Sequence, residues 1–177
     1  MMTALEKEYG DALYSLAAEE NCLDEALEGL SLAVNAFQEN PGYLTLVQNP
    51  ALPKEERLEL LSNAFDGLHP YVLNLLKLLC ERSALGLAAG ALEQFKSLLY
   101  EARGIVPVEA VSAVPLTEAQ REALRDKLSA KLGKTILLEN RIDPSVLGGV
   151  KLRYQGRELD GTAAGRLSSL RRALTQA

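Results

Sequence analysis

Tryptophan is missing from this sequence, histidine occurs once, cysteine twice, and aromatic residues make up only 5% of the chain. Each scarcity excludes something. A lone His69 leaves no paired-histidine metal site. It also obliges any serine or cysteine nucleophile to use that one imidazole or an unusual base. Ahead of Pro70, His69 reads as a turn or capping residue. Cys22 and Cys80 lie 58 positions apart in helix-like apolar patterns, which makes neither a zinc motif nor a disulfide framework. Buried free thiols are expected. No G-x-S-x-G occurs. The longest dense apolar stretch, residues 71–80, is broken by Asn74 and Lys77 and falls far short of the roughly 20 residues that span a bilayer. The opening MMTALEKEYG lacks the basic and apolar regions of a signal peptide.

Alanine and leucine dominate what is present. Apolar residues reach 47%, enough for a packed core, and both of these types favour helices. Charge is unevenly placed. Residues 1–103 hold 7 Lys+Arg against 16 Asp+Glu, a net −9, whereas residues 104–177 hold 12 against 8, a net +4. These are either two ordinary solvated surfaces or two surfaces for partners of different character. An acidic first half does not grip nucleic acid, and the second has no basic run with interleaved aromatics.

The first hundred residues read as helices. Leu5, Tyr9, Ala12, Leu13 and Leu16 form one apolar stripe. Asn21 is expected to cap a second helix carrying Leu23, Ala26, Leu27, Leu30, Val34 and Phe37. Asn40-Pro41-Gly42 should stop it, with a short helical turn over 43–47. Pro53 and Pro70 suit helix starts, and Gly86 and Gly90 flank the entry to a last helix with Leu92, Phe95 and Leu99. Short connections imply an antiparallel bundle. Within 72–80 the apolar positions cover about 220° of a helix, well beyond the ~100° of one core-facing stripe. Either that helix is the bundle's centre or part of its face awaits an amphipathic helix, for which Ala12 and Ala17 would leave room.

The pattern changes at Gly104, so the domain boundary is placed between 1–103 and 104–177. Residues 105–115 read as a strand with Pro107 near its edge. Thr117 and Gln120 form a capping box ahead of a helix with Leu124, Leu128 and Leu132. Strands are expected over 135–142, with Ile136, Leu138 and Ile142 on one face, then 149–154 and 157–160 joined by a Gln155-Gly156 turn. A final helix should carry Leu167, Leu170 and Leu174. The fold class expected is mostly α, a helical bundle followed by a small α+β domain. Gly148-Gly149 and the helix entry at 161–165 could be read as phosphate loops, although neither has the Lys-Ser/Thr of a P-loop. That leaves a small nucleotide- or phosphate-binding enzyme domain with a helical regulatory bundle as the alternative.

One segment is more specific. Arg141-Ile142-Asp143-Pro144-Ser145-Val146-Leu147-Gly148-Gly149-Val150, then Leu152-Arg153, Leu159-Asp160-Gly161-Thr162 and Gly165-Arg166-Leu167, resembles the C-terminal signature of the delta subunits of F-type ATP synthases, the family of the mitochondrial oligomycin-sensitivity-conferring protein. Tyr9-Gly10-Asp11-Ala12-Leu13, Leu92-Glu93-Gln94-Phe95 and Pro115-Leu116-Thr117-Glu118 extend the resemblance over nearly the whole chain. Departures are Gly10, where alanine is common, and Ala163-Ala164, where larger or charged residues are common.

The resemblance implies a six-helix N-terminal bundle, a non-catalytic peripheral-stalk role without cofactor or metal, and a single copy in a hetero-oligomer. It implies two partners: the N-terminal helix of an alpha subunit, held between the first and fifth helices, and the C-terminal end of the membrane-anchored b subunits. Groove residues would be Tyr9, Ala12, Leu13 and Leu16 with Val72, Leu75, Leu76 and Leu79. The signature positions would be Asp143, Gly148, Gly149, Asp160, Gly161, Gly165, Arg166 and Leu167. With no transit peptide ahead of the first helix, a bacterial enzyme at the cytoplasmic face of the cell membrane is expected.

Overall fold

The structure, a computed structural model, describes residues 2–146 and 148–162. The expected last helix, with Gly165, Arg166 and Leu167, lies outside the described residues. The chain divides into two compact units, Met1–Leu99 and Tyr100–Ala177, a division four residues before the one expected from composition.

In the first unit six α-helices follow one another: α1 (Ala4–Glu19), α2 (Leu23–Glu39), α3 (Pro41–Val47), α4 (Lys54–Ala64), α5 (Pro70–Glu81) and α6 (Ala88–Ala102), the last running into the second unit. Thr3 and Glu6 start α1 with a capping box. Asn21 does not cap α2. It takes a left-handed conformation (φ 57°) that ends α1, and the Cys22 N–H donates to the Ala17 carbonyl at 2.9 Å. Asparagine tolerates that region, which is why it closes a helix here instead of opening one. Cys22 is the N-cap of α2 and makes no side-chain cap bond. Pro41 does end α2, but it also serves as the first residue of α3.

The α5 helix is the hub, packed on α1, α2 and α4. Val72, Leu76 and Leu79 are fully buried with Leu13, Ala17, Ala26, Leu30, Ala33 and Phe95. Many of these are alanines, so helices approach closely. Gly10 shows how closely: a Cβ there would sit 2.8 Å from the Ala91 carbonyl oxygen and 2.6 Å from Gln94 Cβ on α6. The scarce aromatics bind the ends together. Phe37, Tyr43 and Phe65 form one cluster, and Tyr14 meets Phe95 edge-on at 5.7 Å.

The second unit holds β1 (Ile105–Ser112), α7 (Glu118–Leu132), β2 (Thr135–Ile142), β3 (Val150–Tyr154) and β4 (Arg157–Asp160) in the sheet order β2-β1-β3-β4. β1 runs parallel to β2 and antiparallel to β3, so it is central in the sheet, with Pro107 near the strand's start. The proline is tolerated because β3 pairs only with Glu109–Ser112, leaving that side of β1 open at Pro107. Helix α7 opens with the Thr117–Gln120 capping box and ends at Gly133 (φ 63°). It covers Val106, Val108 and Ile136 with Leu128, while Ile142 at the strand's end is 52% exposed. The opposite face carries ion pairs of Glu109 with Arg141 and Arg153, and of Glu158 with Lys151 and Arg153.

Two turns after the strands are built alike. Asp143 accepts from the Ser145 N–H and hydroxyl, and Asp160 from the Thr162 N–H and hydroxyl. The side-chain hydroxyl first, and the backbone N–H second, hold both carboxyls below the usual range. The turns also meet each other. A Cβ on Gly149 (φ 87°) would lie 2.6 Å from the Gly161 carbonyl oxygen, and Gly161 donates its N–H to Val150 at 3.1 Å. Only glycine fits a left-handed position against another backbone.

Gly10→Ala should destabilise the protein by about 1–3 kcal/mol in urea denaturation, although helix propensity alone would stabilise it by ~1 kcal/mol. A stabilised variant would mean that α1 and α6 do not touch as described. Because the Asp160 value is depressed, the turn's contribution is complete at neutral pH and is lost as pH falls through the folded-state value. The Thr162 amide resonance should therefore titrate with a midpoint below the ~3.9 of an unfolded aspartate, and Asp160→Asn should abolish the transition. A midpoint at or above that figure contradicts the turn.

Candidate docking groove

Between α1 and α5 lies an open cleft of about 370 Å³. One wall is Tyr9, Ala12, Leu13 and Leu16 from α1; the other is Tyr71, Asn74, Leu75 and Leu78 from α5. The cleft is apolar because the same heptad-like spacing that fills the core leaves its outer edge uncovered. Leu16 is 46% and Leu78 40% exposed, whereas Leu13 and Leu75 form the floor and are buried. Asn74 is the one amide side chain in it. At one end Arg82 donates to the Tyr9 hydroxyl at 3.1 Å, joining the end of α5 to α1. At the other the Glu20 carboxylate faces Tyr71 and pushes its phenol up.

The structure brings Tyr9, Ala12, Leu13, Leu16 and Leu75 together as the sequence predicted. It places Val72, Leu76 and Leu79 elsewhere: each is 0% exposed in the core, out of reach of any partner while the bundle is intact. The groove residues on α5 are instead Tyr71, Asn74 and Leu78. They fall at i, i+3 and i+7, one residue and therefore about 100° around the helix from the predicted set. The signal was present in the over-wide apolar arc, but periodicity cannot tell which edge of such an arc faces inward. A second apolar cleft, about 240 Å³, lies between Val34, Phe37, Leu44, Leu85 and Ala88.

In the second unit Asp143, Gly148, Gly149, Asp160 and Gly161 form the paired turns described above. The amides of Gly161 and Thr162 already donate to Val150 and Asp160. An anion at the entry to 161–165 would find those donors engaged and a carboxylate beside them, so the phosphate-loop alternative has no support among the described residues. None of the described helices is long and apolar enough to cross a membrane.

Comparison with known proteins agrees with this architecture. The family model described as "ATP synthase delta (OSCP) subunit" matches residues 5–174. The ATP synthase subunit delta of Geobacillus sp. (strain WCH70) is 39% identical over 169 residues, covering 95% of each chain. That of Anaeromyxobacter sp. (strain K) is 32% identical over 179 residues, covering 99% of each. A chain in the cryo-EM structure of the Toxoplasma gondii mitochondrial ATP synthase hexamer shares the fold, with a TM-score of 0.76 at 22% identity over 98% of both chains. With a family match over nearly its full length and relatives above 30% identity, this chain belongs to the ATP synthase delta (OSCP) subunit family.

Proposed function

We propose that the chain is the delta subunit of the peripheral stalk of a bacterial F-type ATP synthase, a non-catalytic joint between the catalytic head and the membrane-anchored b subunits. The observation that carries the reading is the open apolar groove between α1 and α5, walled by side chains of two helices as a helix-binding groove is. Its occupant is the N-terminal helix of an alpha subunit. The second unit, whose sequence is net basic, takes the C-terminal end of the b subunits. The subunit is present in one copy, peripheral to the cytoplasmic face of the membrane, and needs no cofactor.

The task follows from mechanics. Rotation of a central shaft drives nucleotide chemistry only if the head does not turn with it, so the stalk must hold against torque. Affinity then has to come from buried apolar area. Covering what remains exposed of Leu16 and Leu78 contributes about 1 kcal/mol each, and the remainder comes from the partner's own side chains leaving water.

A fluorescent peptide from the alpha subunit's N-terminus should bind the full chain in an anisotropy titration. Leu16→Asp and Leu78→Asp should each weaken it by about thirty-fold, the equivalent of a ~2 kcal/mol hot spot, with the circular dichroism spectrum unchanged. Leu76→Ala is the contrast: it should lower the stability of the fold by about 2–5 kcal/mol. Unchanged peptide affinity in both aspartate variants would remove the groove from consideration.

A further inference from the structure

We infer that the first unit holds a zinc-class metal site formed by Cys22, Glu25 and His69. The ligand atoms of these three side chains lie within 4.8 Å of one another. They come from two separate turns, Cys22 and Glu25 at the start of α2 and His69 at the N-cap of α5. Glu25 and His69 line a cleft of about 350 Å³ together with Glu28, and Cys22 lies buried beside them. A thiolate, an imidazole and a carboxylate are the donor set of zinc and its neighbours; magnesium and calcium would take neither the sulfur nor, as a rule, the nitrogen. Tetrahedral ligands at ordinary metal distances are about 3.5 Å apart, so the three atoms need to close by roughly 1 Å. Glu25 is exposed and can supply most of that movement.

Charge balance favours a divalent ion. On binding, Cys22 gives up its thiol proton to solvent, and the thiolate and carboxylate offset the metal's two positive charges beside a neutral imidazole. Glu28, one turn along α2 in the same cleft, adds negative potential, and the fourth position is left to water. The ring of His69 now accepts a long bond of 3.4 Å from the Tyr71 N–H, a contact weak enough to yield to a metal. Cys80 supplies the internal control. It is buried elsewhere, with its sulfur toward the Val47 carbonyl, and among the described residues no such cluster of donors includes it.

The test uses the full chain freed of metal by chelation and titrated with Co2+ as a spectroscopic stand-in for Zn2+. A thiolate-to-cobalt charge-transfer band should saturate at one equivalent and disappear on adding Zn2+. Cys22→Ser should abolish it and Cys80→Ser should leave it intact. Glu25→Gln and His69→Gln should weaken binding by roughly ten-fold or more, since an inner ligand counts for at least what an outer partner does. Glu25 is exposed, so its variant reports on the site even if His69→Gln disturbs the start of α5. No saturable band, a band lost with Cys80 instead of Cys22, or one indifferent to Glu25→Gln and His69→Gln together would overturn the proposal.

Discussion

A helix that is apolar over more than half of its circumference has to be covered on more than one side, and α5 is such a helix. Its inner face, through Val72, Leu76 and Leu79, takes α1, α2 and α4 and fixes the bundle around itself. The outer edge, through Tyr71, Leu75 and Leu78, is met by α1 only along the floor of a cleft. Core and groove are therefore adjoining sectors of one element. Each turn of α5 supplies one residue to either sector, so the geometry of the groove is as rigid as the core that positions it.

This arrangement sets what could be read from the sequence. Helix order, the short connections and the second capping box rest on local signals, and those were legible. The helix rotation was not. Residues 72, 76 and 79 and residues 71, 75 and 78 are equally apolar stripes, and only the packing of three neighbours selects the first for the interior. Asn21 was misread for a related reason: its amide suits both the start of one helix and the left-handed end of another, and the Cys22–Ala17 bond decides between them. Pro107, near the start of β1, lacks a donor, and the short β3 leaves that side of the strand open beside it. The metal-ligating cluster was invisible because Cys22 and His69 are 47 positions apart, outside any spacing rule.

The glycines divide into those that serve a turn and those that serve an approach. Gly156 belongs to the first kind, in a hairpin where both central residues have positive φ. Gly10 and Gly149 belong to the second. One lets α6 lie against α1, the other lets two backbone turns touch. Alanine at position 10 would gain helix propensity and lose that contact, so a glycine there has a packing cause. In the second unit the same logic explains why the most specific part of the sequence carries no reactive chemistry. Asp143 and Asp160 accept the backbone N–H groups of Ser145 and Thr162, Gly161 donates to Val150, and Gly149 lets the two turns touch, so what these residues build is a shape.

The scarcity of aromatics bears on how the groove holds a partner. All three phenylalanines are buried inside the bundle, and the groove offers leucine, alanine and two tyrosines with few polar groups. Such a surface cannot steer a ligand from a distance, because steering needs charge. It can retain one, because the rate of escape depends on how much apolar surface must be returned to water. In the proposed role, a joint under torque needs slow escape more than fast capture, because a partner tethered in the same assembly is captured by proximity. On that reading the acidic surface of residues 1–103 aids solubility and excludes wrong partners, while the apolar cleft between α1 and α5 supplies the grip.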